Sequence, residues 1–230
     1  MYHLPFTISP PKGSSPHRGG VRGGLRGGLS LCVLSLLCAL CVSCKESVAE
    51  GEYHNWQERN QHYVDSIASL AKQGVDGWTR LLGYYYQQAY ADANPADNNI
   101  YVYVQKKANG TGTLKPIYTD SVRLHYRGRL IPSANHPEGY VFNQTYTSKE
   151  IQTTTAVPAL LAVSQNIIGM CTVLQEMVEG DEVHMVVPYA IGYGSSTNST
   201  GQIPGYSALI FDAKLIKVYR YKVDTNTIWR

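Results

Sequence analysis

The last third of this chain contains a series of short segments that strongly restricts how the chain can fold. Val187-Pro188 ends a run with strand character, and Tyr193 follows on a turn between two glycines. The chain then passes through Ile203-Pro204 and enters a second apolar run that contains Phe211. Because proline ends strands and glycine permits tight turns, this order predicts two strands whose connection carries the tyrosine and the Ile-Pro pair.

Most of the chain after Asn99 has the pattern of β-strands that surround a single helix. Residues 121–127 alternate apolar and polar side chains, as expected of a half-buried strand. Residues 100–105, 182–187 and 208–218 also have strand character. The one good helical run, residues 167–177, is apolar on many sides, and such a helix belongs in a core. We therefore expect an α+β domain with one sheet wrapped over a short buried helix.

The residues before this domain have a helical pattern. Apolar residues in 54–73 recur at helical spacing, and Gly74 and Gly77 end the run. We expect a second short helix in residues 78–91 and a loop in residues 92–99, so that 54–98 form a helical N-terminal extension. The tyrosines at 84, 85, 86 and 90 allow two interpretations, an aromatic surface for peptides or a helical segment packed onto the next domain. The second is preferred, since aromatic spacing alone is weak evidence of binding.

The N-terminus has the features of a secretion signal. Three arginines precede a short uncharged apolar run at residues 29–42, which is too short for a permanent transmembrane anchor. The run ends in Cys41-Val42-Ser43-Cys44-Lys45, which resembles a bacterial lipobox although its leucine lies one place early. The resemblance implies lipid attachment at Cys44 after removal of residues 1–43. Ordinary signal-peptide cleavage and a retained anchor are the alternatives.

Cysteine usage and charge exclude several classes of protein. Four of the five cysteines lie between residues 32 and 44, so no disulfide framework is indicated. After Cys44 the chain has 16 basic and 17 acidic residues, a net charge of −1. A nucleic-acid-binding surface would need a clustered basic face, and none is visible. The usual metal, phosphate-binding and nucleophile motifs are also missing, so no cofactor is expected.

Seven segments between residues 101 and 219 resemble, in order and spacing, the FKBP-type peptidyl-prolyl isomerases. They are the His125-Tyr126-Arg127-Gly128 strand, Phe142-Asn143, Ile167-Ile168-Gly169, Met177 with Gly180, Tyr193-Gly194, Ile203-Pro204 and Leu209-Ile210-Phe211-Asp212. The resemblance implies an antiparallel β-sheet wrapped around a short buried helix. It also implies rotation of X-Pro peptide bonds as the activity.

The resemblance further implies which residues form the substrate pocket. Its predicted walls and floor are Tyr126, Phe142, Asn143, Ile167, Met170, Tyr193, Ile203 and Phe211. The Ile167 N–H and the Tyr193 hydroxyl would bind the peptide. The chain departs from the family where Asn143 replaces a usual aspartate, where Val157 replaces a common aromatic residue, and where Met170 replaces tryptophan or leucine. Each pocket residue could otherwise be plain core or rim, and His125, Cys171 and Asp212 are expected to be structural.

These features predict an isomerase that assists folding of exported proteins. The alternative is a non-catalytic FKBP-like peptide-binding or chaperone lipoprotein, which the three departures favour. The expected partners are proline-containing polypeptides of the cell envelope, a membrane through the lipid, and a second copy through the N-terminal helix. The expected location is the outer membrane. The predicted segments are a signal peptide 1–43, a tether 44–53, the extension 54–98, the isomerase domain 99–222 and a tail 223–230.

Overall fold

The structure is a computed structural model that describes residues 51–91, 94–151 and 153–221. These residues all belong to one compact unit, Ala49–Arg230. The predicted signal peptide, Cys44, the start of the tether and the C-terminal tail lie outside the described residues. In the part of the chain that is described, none of the helices is both long and apolar enough to cross a membrane.

A single antiparallel sheet of seven strands is the framework of the fold. The strands are β1 (Trp78–Leu82), β2 (Tyr101–Ala108), β3 (Ser121–Leu130), β4 (Val141–Gln144), β5 (Ala159–Ala162), β6 (Glu182–Val187) and β7 (Leu209–Tyr219). Their order is β1-β2-β6-β7-β3-β4, and β5 also pairs with β3. β4 pairs with residues 127–129 and β5 with residues 121–124. β3 therefore borders both short strands, and both border the cavity described below.

The predicted buried helix packs against this sheet. Helix α3 (Ile168–Leu174) is shorter than the apolar run that predicted it, and its residues from Gly169 to Leu174 are all buried. Gly169 lies so close to β6 that a Cβ atom there would come within 2.4 Å of Val187 Cγ1. The short helix and the antiparallel sheet confirm the predicted α+β architecture.

The N-terminal helix belongs to the same core as the sheet. Helix α1 (Trp56–Gln73) ends at Gly74, which has φ = 66°, a conformation that favours glycine. Its buried residues recur at helical spacing and form one face: Trp56, Asn60, Val64, Ile67 and Ala68. The apolar members of this face join the hydrophobic core that contains the sheet. Helix α1 is therefore packed onto the domain along this face.

The structure corrects the prediction for residues 78–91. Only Tyr84–Gln87 form a helix, α2, whereas Trp78–Leu82 form strand β1. β1 pairs residue by residue with β2, from Trp78 opposite Gln105 to Leu82 opposite Tyr101. Its conformation therefore depends on a partner that lies about twenty residues later in the chain. Helical spacing of apolar residues could not reveal this pairing.

The tyrosine cluster packs largely against the domain. Tyr84 and Tyr86 are partly buried against the core, and the Tyr84 ring stacks on Tyr118 with 5.2 Å between ring centroids. The Tyr84 N–H donates to Thr172 Oγ1 of α3 at 2.9 Å. Tyr85 and Tyr90 are exposed. These contacts favour the interpretation of a packed segment over that of an aromatic peptide-binding surface.

Candidate functional site

Seven of the eight predicted pocket residues line one small cavity. The cavity has a volume of about 150 Å³ and lies between β3, β4, β7 and the start of α3. Its lining consists of Tyr126, Phe142, Asn143, Leu161, Gln165, Asn166, Ile167, Met170, Tyr193 and Phe211. Residues from five separate parts of the sequence therefore meet at one point.

Three aromatic side chains on neighbouring strands form the walls. Phe142 on β4 meets Phe211 on β7 edge to face, with ring centroids 5.7 Å apart. Tyr126 on β3 lies 6.5 Å from Phe211, again between centroids. Gly128 of β3 pairs with both Asn143 and Phe211 and leaves the space that these rings fill. A Cβ atom on Gly128 would lie 2.6 Å from the Phe142 ring and 2.7 Å from the Phe211 ring.

The start of helix α3 supplies the floor and a backbone donor. Met170 is 4% exposed and lines the cavity from the first turn of the helix. Ile167 is the residue before the helix and has an extended backbone (φ −57°, ψ 150°). Its carbonyl accepts the Cys171 N–H at 3.0 Å, whereas no described residue accepts its own N–H. N–H groups at a helix start have no partner within the helix, so this donor remains for a ligand.

Tyr193 lies at the rim of the cavity on the predicted glycine turn. The tyrosine is 49% exposed, and the next residue, Gly194, has φ = 83°. The Gly194 N–H donates to the carbonyl of Tyr189 at 2.9 Å and closes the turn. Burial raises the pKa of Tyr126, and the nearby Tyr193 phenol raises it further. The Tyr126 hydroxyl therefore stays protonated near neutral pH and can donate a hydrogen bond.

Two residues singled out in the sequence lie away from the cavity lining. Ile203 is buried within the core, and its backbone N–H donates to Asn198 Oδ1 at 3.0 Å. Val157, at the position where the family often has an aromatic residue, is 78% exposed. Neither side chain lines the cavity in this structure.

Three lining residues were missed by the sequence prediction: Leu161, Gln165 and Asn166. Leu161 lies on β5, a strand of four residues that is too short to give a clear alternation. Asn166 turns its amide back, and its Nδ2 donates to the Ala162 carbonyl at 2.7 Å. The useful signal was the position of Gln165 and Asn166 directly before Ile167, because residues that precede a pocket-lining helix also border the pocket.

The residues expected to be structural are buried or paired. His125 and Cys171 are both buried, and burial raises the pKa of the Cys171 thiol. Asp212 follows Phe211 and faces His184, whose Nδ1 lies 2.5 Å from Asp212 Oδ1. Burial opposes ionisation of this carboxyl. The hydrogen bond from His184, with the charges of His184 and Arg129, outweighs that effect and lowers the pKa of Asp212.

The cavity has an uncharged lining. None of its ten lining residues is an aspartate, glutamate, lysine, arginine or histidine. Among the described residues, no group of three or more histidine, cysteine or acidic side chains is placed to hold a metal ion. The site therefore combines apolar surface with a few hydrogen-bond donors. Such an arrangement can bind and orient a peptide but has no charged group for proton transfer.

Comparisons with known proteins agree with this picture. The family model for FKBP-type peptidyl-prolyl cis-trans isomerase matches residues 112–216. A macrophage infectivity potentiator from Trypanosoma cruzi is 27% identical over 190 residues, which cover 83% of this chain and 82% of that protein. The FKBP-type 22 kDa peptidyl-prolyl cis-trans isomerase of Escherichia coli is 30% identical over 109 residues, 47% of this chain. The match spans 46% of the Escherichia coli protein, less than half its length.

Among solved structures, the chain is similar to a peptidyl-prolyl cis-trans isomerase from Pseudomonas syringae pv. tomato. It is 22% identical, with a TM-score of 0.48, and the match covers 71% of this chain and 96% of that one.

Proposed function

The chain carries an FKBP-type peptidyl-prolyl cis-trans isomerase domain at residues 112–216, and from that premise we propose that it accelerates rotation about X-Pro bonds in polypeptide substrates. The observation that supports this most directly is the uncharged aromatic cavity of Tyr126, Phe142 and Phe211. Seven of the residues that line it were predicted from the sequence alone.

The chemistry of the reaction fits such a cavity. Rotation about the amide bond must break its resonance, a barrier of roughly 18–20 kcal/mol. The twisted transition state has less charge separation across the C–N bond than the planar amide has. An apolar pocket therefore destabilises the planar ground state more than the transition state. The two isomers differ by only about 1 kcal/mol, so the protein needs to lower the barrier and to supply no energy.

Each part of the cavity has a role in this mechanism. The rings of Tyr126, Phe142 and Phe211 would enclose the proline ring, and Met170 would support it from below. The Ile167 N–H would donate to a substrate carbonyl, and the Tyr193 hydroxyl would hold the peptide at the rim. These donors fix a turn-like geometry in which rotation is easiest.

Phe211→Ala tests the enzymatic proposal. We expect the variant to lose about tenfold or more in kcat/KM, or roughly 1.4 kcal/mol of transition-state stabilisation, because it removes a cavity wall. A protease-coupled assay on an X-Pro tetrapeptide measures this effect. Leu215→Ala is the control, since Leu215 is buried on the same strand outside the cavity lining and its loss affects stability alone.

Tyr193→Phe tests the rim donor separately, with Tyr85→Phe, an exposed tyrosine outside the lining, as the matched control. Absence of any acceleration by the folded parent protein would contradict the enzymatic proposal and leave the non-catalytic binding protein in its place. An equal kcat/KM for the Tyr193→Phe and Tyr85→Phe variants would contradict the role assigned to Tyr193.

We also propose that the protein is exported and attached to the outer membrane through a lipid on Cys44. The lipobox-like sequence supports attachment, and Lys45 after the cysteine resembles proteins sorted to the outer membrane. Metabolic labelling with an alkyne fatty acid, followed by cell fractionation, tests this proposal. Cys44→Ala should abolish labelling, whereas Cys41→Ala, three residues earlier, should retain it. Equal labelling of both variants would contradict the proposal.

A homodimer through the N-terminal helix is a further proposal, and the structure restricts how it could form. The apolar face of α1 packs against its own domain, so a dimer would have to use the exposed face that carries residues such as Glu58 and His62. Size-exclusion chromatography with light scattering on the chain from Lys45 decides between monomer and dimer. A monomer at all concentrations would contradict the dimer.

A further inference from the structure

Helix α1 is hydrogen-bonded to the segment that joins the Ile203-Pro204 loop to β7. The indole N–H of Trp56 donates to Ser207 Oγ at 2.9 Å, and the Ser207 hydroxyl donates to the Pro204 carbonyl at 2.6 Å. Trp56 and Ser207 are 7% and 3% exposed. The first bond is buried and the second partly buried, and together they form a relay from the helix to the backbone of the loop.

A second side chain of the same helix holds the residue directly before β7. Asn60 Oδ1 accepts the Ala208 N–H at 2.8 Å, and its Nδ2 donates to the Trp56 carbonyl at 2.7 Å. Asn60 is 2% exposed, so water cannot replace either bond at low cost. The next residues of the chain are those of β7, which places Phe211 in the cavity.

The segment that α1 holds, residues 204–208, is also hydrogen-bonded to the turn that carries Tyr193. The Tyr206 N–H donates to the Gly194 carbonyl at 3.0 Å. Gly205 packs so closely on this turn that a Cβ atom there would lie 2.1 Å from the Ser195 carbonyl oxygen. Tyr206 has φ = 60°, an uncommon conformation for a residue other than glycine. Contacts from outside must hold such a backbone in place, and α1 supplies one of them to the adjacent residue, Ser207.

We infer that α1 is a positioning element of the isomerase site, in which Trp56 and Asn60 fix residues 204–208 and thereby the Tyr193 turn and the start of β7. The inference rests on the proposed function for its activity readout. Neither residue lines the cavity, so both act through the segment that they hold. Helix α1 is then part of the catalytic unit, although it precedes residues 112–216, which match the family model.

Trp56→Phe and Ser207→Ala test this inference, because each removes one partner of the relay while leaving most of the packing. We expect each to lower kcat/KM for an X-Pro tetrapeptide about three- to tenfold. The double variant should be no worse than Ser207→Ala alone, since Ser207→Ala already removes both bonds of the relay. Ile67→Val is the control, because Ile67 is buried on the same face of α1 but takes no part in the hydrogen bonds to Ser207 and Ala208.

A second measurement separates this inference from the proposed function. Hydrogen exchange at the Tyr206 N–H, which bonds to the Gly194 carbonyl, should be faster in Trp56→Phe and Ser207→Ala and unchanged in Ile67→Val. If the parent protein has no isomerase activity, faster exchange at Tyr206 still supports the positioning role. Unchanged exchange, or an equal loss of kcat/KM in Ile67→Val, overturns it.

Discussion

At the scale of single residues, Gly128 determines whether the cavity keeps its shape. Its missing side chain leaves room for the rings of Phe142 and Phe211, each less than 3 Å from the position of a Cβ atom. Gly128→Ala should displace both rings, lower kcat/KM about fivefold or more and destabilise the fold by about 1–3 kcal/mol. The protease-coupled assay and urea unfolding measure the two effects. Gly51→Ala is the control, since nothing lies within 4 Å of its Cβ position. A Gly128→Ala variant with the kcat/KM and stability of the parent protein would contradict the prediction.

His125, which lies on β3 directly before Tyr126, should make stability depend on pH. Burial lowers the pKa of His125, and the positive charge of Lys214 lowers it further. The unfolded chain therefore binds the proton at higher pH than the folded protein does. The contribution to stability is complete above the unfolded pKa of about 6.5 and is lost as the pH falls through the lower folded pKa.

Urea unfolding between about pH 7.5 and pH 5 measures this effect. His125→Asn should reduce the loss of stability on acidification, whatever its stability at neutral pH. His62→Asn, at an exposed histidine of α1, should show the parent's full loss. If the His125 variant loses as much stability as the parent, the assignment to His125 is wrong.

At the scale of elements, the contact of α3 with β6 depends on a glycine. A Cβ atom on Gly169 would lie 2.4 Å from Val187 Cγ1 and 2.9 Å from Cγ2. Gly169→Ala should therefore cost about 1–3 kcal/mol through overpacking, although alanine favours helix. Adding Val187→Ala should restore part of that stability, because it removes the two methyl groups that collide.

A double-mutant cycle on the free energy of unfolding measures the coupling between these two positions. Gly169→Ala combined with Leu215→Ala is the comparison, since the three atoms nearest to a Cβ on Gly169 outside its own helix all belong to Val187. Strictly additive effects of Gly169→Ala and Val187→Ala would show that α3 and β6 adjust independently, contrary to the structure.

The elements that the sequence could predict are those with a local signal. Strands β3, β6 and β7 alternate or carry continuous apolar runs, and α3 is apolar on most sides, so each was visible in isolation. Strand β1 was not, because Trp78–Leu82 has no strong period and takes its conformation from pairing with β2. The hydrogen bonds from Trp56 and Asn60 span about 150 residues of sequence, and no local pattern reveals such contacts.

At the scale of the site, an ordered set of motifs predicted more than any single residue did. Tyr126, Phe142 and Phe211 are ordinary apolar strand residues when considered separately, and their order along the chain was what identified them. Ile203 shows the limit of that reasoning. It belongs to the same set of motifs, yet the structure buries it beside the Asn198 loop and outside the cavity lining. Order along the chain locates a segment, whereas the side chain's direction depends on packing.

For the molecule as a whole, the uncharged cavity predicts how activity depends on pH. Catalysis by desolvation and orientation needs no group that changes charge near neutral pH, and the lining contains none. We expect kcat/KM to stay within about twofold between about pH 6 and 8.5, in contrast to the bell-shaped profiles of acid–base enzymes. Exchange NMR on a proline peptide measures this without a coupling protease, at temperatures where the protein remains folded.

Asn143→Asp is the informative variant for this prediction. It restores the carboxylate that is usual in the family, with an ordinary pKa of about 3.9 that the apolar surroundings would raise. The variant should acquire a titration step on the acid side, whereas the parent should have none there apart from unfolding. A titration step of the parent protein near neutral pH would mean that an ionisable group takes part in the reaction. In that case the explanation by desolvation and orientation would fail, even with every wall residue in place.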